Sequence, residues 1–222
     1  MSGIPRSELV LLHLRKMAQK HVRPMTPEDI HVVVDIHMAA FPGYFTTSLG
    51  PKFLALFYAE AQRSRSSINY VFERDGRVLG FCVGTFSPGR FYRGLFIRQW
   101  FPLAAYSLRV AVKQPLILGR IVRSLFERVG RRSEKDIAFL GTTAVFPEEQ
   151  ARGYGLAIVS AFIDHIKKLG GKQVRGEVLK EDQNLIRAYQ KMGFEVLRET
   201  HVPPATTLVE LCYRIGNEEG RG

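Results

Sequence analysis

The seven residues Gln150-Ala-Arg-Gly-Tyr-Gly-Leu156 limit what this chain can fold into more than any other stretch. Before them runs Ile137-Ala-Phe-Leu-Gly-Thr-Thr-Ala-Val-Phe146, an apolar segment of strand length. Pro147 closes it, because proline cannot donate to a ladder. After the loop, Leu156, Val159, Ile163 and Ile166 recur at helical spacing, and Ile158, Phe162 and Leu169 broaden the apolar face. Ser160, Asp164, Lys167 and Lys168 are expected on the other side, and Gly170-Gly171 supplies a stop. The segment therefore reads as strand, glycine loop, helix. The first turn of an α-helix leaves N–H groups without partners, and the helix dipole adds positive potential there. Gly153 and Gly155 have no Cβ to keep a ligand from that backbone. The junction suits a phosphate group; an ordinary strand-to-helix turn with convenient glycines is the plainer alternative.

The spacing is not G-x-x-x-x-G-K-[ST]. Nor is it G-x-G-x-x-G, because Ile158 stands at the third glycine position. It fits Q/R-x-x-G-x-G/A through Gln150, Gly153 and Gly155. Downstream come Glu177-Val178, then Asp182, then Arg187-Ala-Tyr189-Gln-Lys-Met-Gly193-Phe194. With both motifs in this order, the chain resembles the GCN5-related N-acetyltransferases (GNAT superfamily). Their loop of the first form holds the pyrophosphate of acetyl-CoA, and their second region reads E-V-x-x-x-N followed by Y-x-x-x-G-F. One position departs: Asp182 stands where asparagine is usual, and Asn184 lies two residues later. The match is close over 137–195.

The resemblance implies an α/β (α+β) fold, the GNAT acyltransferase fold, with a mixed central sheet of about seven strands and flanking helices. It implies acetyl-CoA as co-substrate and no metal. The backbone of Thr143, Ala144, Val145 and Phe146 would pair with the pantetheine amides, between splayed fourth and fifth strands. Gln150, Ala151, Arg152, Gly153, Tyr154, Gly155 and Leu156 would cradle the pyrophosphate, with Gln150 acting through its backbone. Asn184 and Tyr189 would complete the cofactor contacts. Acetyl transfer to an amine needs a base for the amine, a donor for the thioester oxyanion and an acid for the thiolate. Glu177 is the base candidate, twelve residues before Tyr189, and burial beside a thioester would raise its pKa. The same spacing occurs in ribosomal-protein alanine acetyltransferases. Its structural alternative is an ion pair with Arg175 or Arg187. Tyr189 is the acid candidate, and its alternative is a packing tyrosine.

In order along the chain, 1–20 reads as a short helical extension or a frayed terminus, with no secretory signal evident. His21 to Met25 is a first strand. Thr26 caps a helix reaching about Ala40, with Pro27 in its first turn. Phe41-Pro-Gly-Tyr-Phe45 breaks it, and its aromatics lie where the GNAT fold often walls the acceptor site. A second helix follows over Lys52 to Arg63. Two strands, 69–73 and 78–86, flank Asp75-Gly76, a tight hairpin signal. A helical insertion over 87–135 separates strands three and four. After the glycine-loop helix come a strand over 172–179, parallel to the fourth, and a helix over 184–192. An antiparallel pair, 195–202 and 208–215, ends the fold. One domain spans 1–222.

Composition narrows the classes. Cys82 and Cys212 are the only cysteines, and the six histidines are scattered without ligand spacing. No metal site or disulfide framework is expected, and a reducing, cytoplasmic compartment fits. No stretch approaches the ~18 uncharged apolar residues a membrane span needs. The segment from Ser87 to Lys135 holds 11 Lys or Arg against 2 Asp or Glu, and so nine of the chain's eleven net positive charges. The acceptor is expected to be a primary amine, with amino sugars and nucleotide-linked amino sugars favoured by an anion-steering insertion. A protein N-terminus or lysine is the alternative. So is a different class: a basic membrane-surface or nucleic-acid-binding module on a GNAT-like fold, to which Phe96, Trp100 and Phe101 of the basic insertion point. No nucleic-acid reader motif is present.

Overall fold

The computed structural model describes residues 6–95, 97, 136–202 and 206–216. Among these, β1 (Val22–Pro24), β2 (Ser67–Arg74), β3 (Arg77–Thr85), β4 (Ile137–Val145), β5 (Gln173–Leu179), β6 (Glu195–Val202) and β7 (Thr206–Arg214) form one mixed sheet. Its spatial order is β1-β2-β3-β4-β5-β7-β6. All neighbours are antiparallel except β4 and β5, which the intervening helix makes parallel. The helices are α1 (Arg6–His21), α2 (Ile30–Ala40), α3 (Phe45–Ser48), α4 (Pro51–Arg63), α5 (Tyr154–Lys168) and α6 (Gln183–Lys191).

Local chemistry accounts for the element ends. Asp75 and Gly76 have φ of 52° and 73°, the positive pair that a two-residue hairpin turn requires. The Asp29 carboxylate accepts from Thr26 N at 2.8 Å and from Thr26 Oγ1 at 3.1 Å. The first turn there is a 3₁₀ turn over Pro27–Asp29, so α2 proper starts at Ile30.

Two apolar layers sandwich the sheet. On one face, α1, α5 and α6 contribute Leu14, Ile158, Phe162, Ile166 and Tyr189. On the other, α2 and α4 contribute Val33, Ile36, Leu54 and Tyr58. The approach of α5 is close: a Cβ at Gly84 of β3 would lie 2.5 Å from the Phe162 ring. The N-terminal segment is a docked helix, with Leu14 and Ala18 buried and Arg15 Nε 3.8 Å from Asp164 Oδ1 on α5.

Two expectations for α5 need correction. Ser160 is buried, and Leu169 is 57% exposed. The helix is covered by the sheet on one side and by α1 on another. Its buried arc is therefore wider than a one-sided stripe and takes in the small Ser160. Leu169 falls past the last turn. Of the insertion, 88–95 is helical, and Phe91 packs edge-on to Phe57 with centroids 5.2 Å apart. Its aromatic and basic residues Phe96, Trp100, Phe101, Arg120 and Arg123 lie outside the described residues.

Candidate active site

The parallel pair β4–β5 opens partway along. Its register runs from Ile137 opposite Gln173 to Leu140 opposite Gly176 and ends there. β4 continues to Val145, still paired with β3, while β5 continues to Leu179, paired with β7. The divergence starts at a bulge. Leu140 faces Gly84 and Thr142 faces Val83, leaving Gly141 as the extra residue. Bulges bend their strand and raise its twist, which turns β4 away from β5.

The strand pattern decides which peptide groups face the opening. Phe146 N donates to Leu79 O on β3 at 3.0 Å. Peptide groups alternate sides along a strand, so those of Ala144 also face β3, and those of Thr143 and Val145 face the gap. The Gln150 side chain agrees: its Nε2 donates to Val145 O at 3.3 Å. Gln150 thus closes the end of β4 with its amide side chain, a contact that sequence reasoning missed.

The glycine loop meets the gap at this end. Ala151 (φ 61°) and Gly153 (φ 82°) both have left-handed backbone, and Gly153 is the N-cap of α5. This double reversal brings the free N–H end of α5 up to the β4 terminus. A Cβ at Gly155 would sit 3.5 Å from Val145 Cγ2 and 4.0 Å from Thr143 Cγ2, so the space in front of Gly155 borders the gap. Tyr154 points inward instead. Its ring stacks on Phe72 at 4.3 Å, and its hydroxyl accepts from Arg74 Nη1 at 2.9 Å. Arg152 is exposed and pairs with Glu149 at 2.9 Å. Tyr154 and Arg152 fix the loop, while Gly153, Gly155 and Leu156 present backbone.

Thr143 and Cys82 are direct cross-strand partners. On the α6 side of the sheet, Tyr189 is 5% exposed and packs edge-on to Phe194 at 5.0 Å. Burial pushes its phenol well above the usual tyrosine value and the Cys82 thiol up to about 12, so both hold their protons at neutral pH. Thr143 Oγ1 lies against both and tempers both shifts, yet its geometry is that of a contact rather than a formed hydrogen bond.

Glu177 is the first β5 residue beyond the β4 pairing, and it is exposed. The burial expected for a base is therefore not supplied by the protein. Of the two cations nearest in sequence, Arg175 donates from Nε to Gln173 Oε1 at 3.1 Å and its Nη1 lies 3.9 Å from Glu210 Oε1, and Arg187 donates to Asn184 Oδ1 at 2.8 Å. Asp182 caps α6 by accepting from Leu185 N at 3.3 Å. Asn184 is exposed on the first turn of α6. From the other side the loop after α2 reaches across: burial, then the charges of Asp182 and Glu181, raise the Tyr44 phenol. The ring of Phe41 packs on Tyr44 at 5.0 Å.

A model of the acetyltransferase (GNAT) family matches residues 30–194. The chain belongs to the GNAT acetyltransferase family. No curated protein matches it. Among solved structures it is similar to the ribosomal-protein-S18-alanine N-acetyltransferase from Escherichia coli, at 14% identity over 90% of this chain and 98% of that one, with a TM-score of 0.56. It is also similar to Ard1 from Thermoplasma volcanium, at 17% identity over 87% and 96%, with a TM-score of 0.56. A third is YncA from Salmonella typhimurium, solved with its cofactor acetyl-CoA, at 14% identity over 87% and 92%, with a TM-score of 0.55. At these identities the likeness establishes the fold. The opening between β4 and β5 is the candidate site of this acetyltransferase-family chain. Among its described residues no metal-binding group of His, Cys, Asp and Glu occurs, and no helix is long and apolar enough to cross a membrane.

Proposed function

We propose that the protein transfers an acetyl group from acetyl-CoA to a primary amine, with pantetheine in the β4–β5 gap and pyrophosphate at the N-terminus of α5. The observation that carries this reading is the meeting of two features: the gap-facing peptide groups of Thr143 and Val145, and the open backbone at Gly153–Leu156. The acetyl-CoA bound to YncA, a protein of the same fold, supports it. In this reading Thr143, Ala144, Val145 and Phe146 add the pantetheine as a partial strand. Gln150, Ala151, Arg152, Tyr154 and Leu156 shape the cradle around Gly153 and Gly155, and Asn184 lies at the edge of the cofactor site.

A gap-facing β4 N–H donates to the thioester oxygen as charge develops on it. Glu177 takes the proton from the attacking ammonium, directly or through water. Its exposed position leaves it open to an acceptor that enters beside β5. Tyr189, protonated at neutral pH, gives its proton to the departing thiolate. The acceptor enters on the Phe41–Tyr44 side. The basic 87–135 segment favours an anionic amine, such as a nucleotide-linked amino sugar, drawn in by long-range attraction. The two buried free thiols, Cys82 and Cys212, suit a reducing cytoplasm. An acetyl-CoA consumption screen across amine classes tests the reading. Turnover with one class supports it, and consumption that no amine accelerates counts against it.

A further inference from the structure

From Gly141 to Val145, β4 has a strand on one side only. In the acetyl-transfer reading this is the section that must aim a peptide N–H at the thioester oxygen. Its placement rests on β3 and on the side chains above and below it. Below lies Thr143, against Tyr189 and Cys82. Above, the Tyr58 hydroxyl lies against the side chain of Thr142. Tyr58 is fully buried on α4, and its hydroxyl is 2.6 Å from Nδ1 of His37, itself buried on α2. His37 Nε2 is 3.2 Å from Oγ1 of Thr46, an exposed residue of α3. Four polar side chains from four elements thus line up from the Phe41–Gly50 loop to the bulged part of β4, with hydrogen bonds joining Thr46, His37 and Tyr58 and a side-chain contact reaching Thr142.

The surroundings of this path are apolar, including Val33, Leu54 and Phe81. Phenylalanine at both 37 and 58 would fill such space without the cost of dehydrating an imidazole and a phenol. Burial lowers the His37 pKa to about 4, so the ring is neutral at neutral pH. One ring nitrogen therefore donates and the other accepts, and the whole path runs in a single direction. A buried polar network with every member satisfied fixes its neighbours more firmly than apolar contact does.

We infer that His37 and Tyr58 are positioning residues. Through Thr142 they hold the one-sided section of β4, and through Thr46 they tie it to the loop that walls the acceptor end. The inference rests on the acetyl-transfer reading above. Acceptor engagement at the loop and alignment of the β4 amides are then coupled, although neither His37 nor Tyr58 touches the reacting atoms.

The test is amide hydrogen exchange on the full chain, which needs no acceptor. Tyr58→Phe removes one oxygen and leaves the packing volume. The expected result is exchange about tenfold faster at 141–146, with β2 and β7 unchanged, the scale for one lost buried hydrogen bond. His37→Phe should do the same. The double variant should do no more than the worse single one, because the path is one unit. His37→Gln, which keeps a donor and an acceptor, should restore part of the protection. With an acceptor in hand, Tyr58→Phe should raise the acceptor KM and lower kcat, while acetyl-CoA affinity stays within about twofold of wild type. Unchanged exchange at 141–146 in Tyr58→Phe overturns the inference. So do fully additive effects in the double variant, or a loss spread evenly over the sheet, which marks general packing. Failure of the wild type to bind acetyl-CoA would instead sink the transfer reading, and the exchange result would still decide whether the path holds β4.

Discussion

The two loop glycines should respond to substitution in opposite ways. Gly153 has φ +82°, and a Cβ there would meet only Leu14 Cδ2 at 3.7 Å. Space is available but the backbone is wrong: Gly153→Ala holds an L-residue in the left-handed region, which costs roughly 1–2 kcal/mol. For a chain of this size that lowers the apo Tm by about 2–8 °C. Gly155 lies in the first turn of α5 with ordinary helical backbone, and a Cβ would make only van der Waals contact at 3.5 Å. Gly155→Ala should therefore leave the apo protein as stable, or up to about 1 kcal/mol more so. The loop motif also accepts alanine there, so acetyl-CoA should still bind. Gly155→Val adds branching in front of the helix terminus. It should leave apo stability near wild type and block the pyrophosphate. At acetyl-CoA 100-fold above its wild-type Kd, the wild type gains about 2.7 kcal/mol, or about 5–11 °C. A hundredfold loss of affinity reduces that gain to about 0.4 kcal/mol, or about 1 °C. Thermal melts of the four proteins, each with and without acetyl-CoA, give the answer. A full ligand shift in Gly155→Val would refute the placement of the pyrophosphate.

Other outcomes follow from the same geometry. Tyr189→Phe should lower turnover about 10²-fold with acetyl-CoA affinity retained, and Glu177→Gln should lower it mainly at pH values where the acceptor amine is still protonated. Steady-state pH–rate profiles separate the two, and nearly full activity in both would move the roles elsewhere. His37 has a folded pKa of about 4 against 6.5. The unfolded chain binds the extra proton between these values, so this stabilisation is complete above about pH 6.5 and is lost as pH falls towards 4. After allowance for solvent screening it amounts to about 2 kcal/mol. Denaturant melts across that window should show the wild type losing stability relative to His37→Phe as pH falls, and parallel curves would contradict the assignment. Charge reversal at Arg120 and Arg123 should raise the KM of an anionic acceptor, and less so in high salt. Equal effects on a neutral acceptor would exclude steering.

The parts of the fold that the sequence shows are the parts built from near neighbours. The strand, glycine loop and helix at 137–168 announce themselves through Pro147, two glycines and a 3.6-residue repeat, and the hairpin at Asp75-Gly76 needs only its two turn residues. The parallel pairing of β4 and β5 follows from the helix between them. What lies far apart in sequence was not legible. Nothing local says that β7 inserts between β5 and β6, since that order is set by long-range pairing. Ser160 looked solvent-facing because the docking of α1, from the other end of the chain, is invisible to periodicity. His37 and Tyr58 sit on different helices, and no local pattern links them. Their shared path closes only when α3 and β4 arrive, and Thr142 is remote from both in sequence. The motifs point to candidate residues. Their environments were not legible: Glu177 is exposed where burial was expected, and Gln150 works through its side chain as well as its backbone.

The central claim is a location, so the most direct measurement is the amide-exchange footprint of acetyl-CoA on the full chain. The account predicts slowed exchange at 142–146 on β4 and at 150–157 across the loop and first turn of α5. It predicts no change in the groove lined by Pro27, His31, Lys52 and Ala59, between α4 and the start of α2. Protection confined to that groove, or no protection at 142–157 under saturating acetyl-CoA, would contradict it.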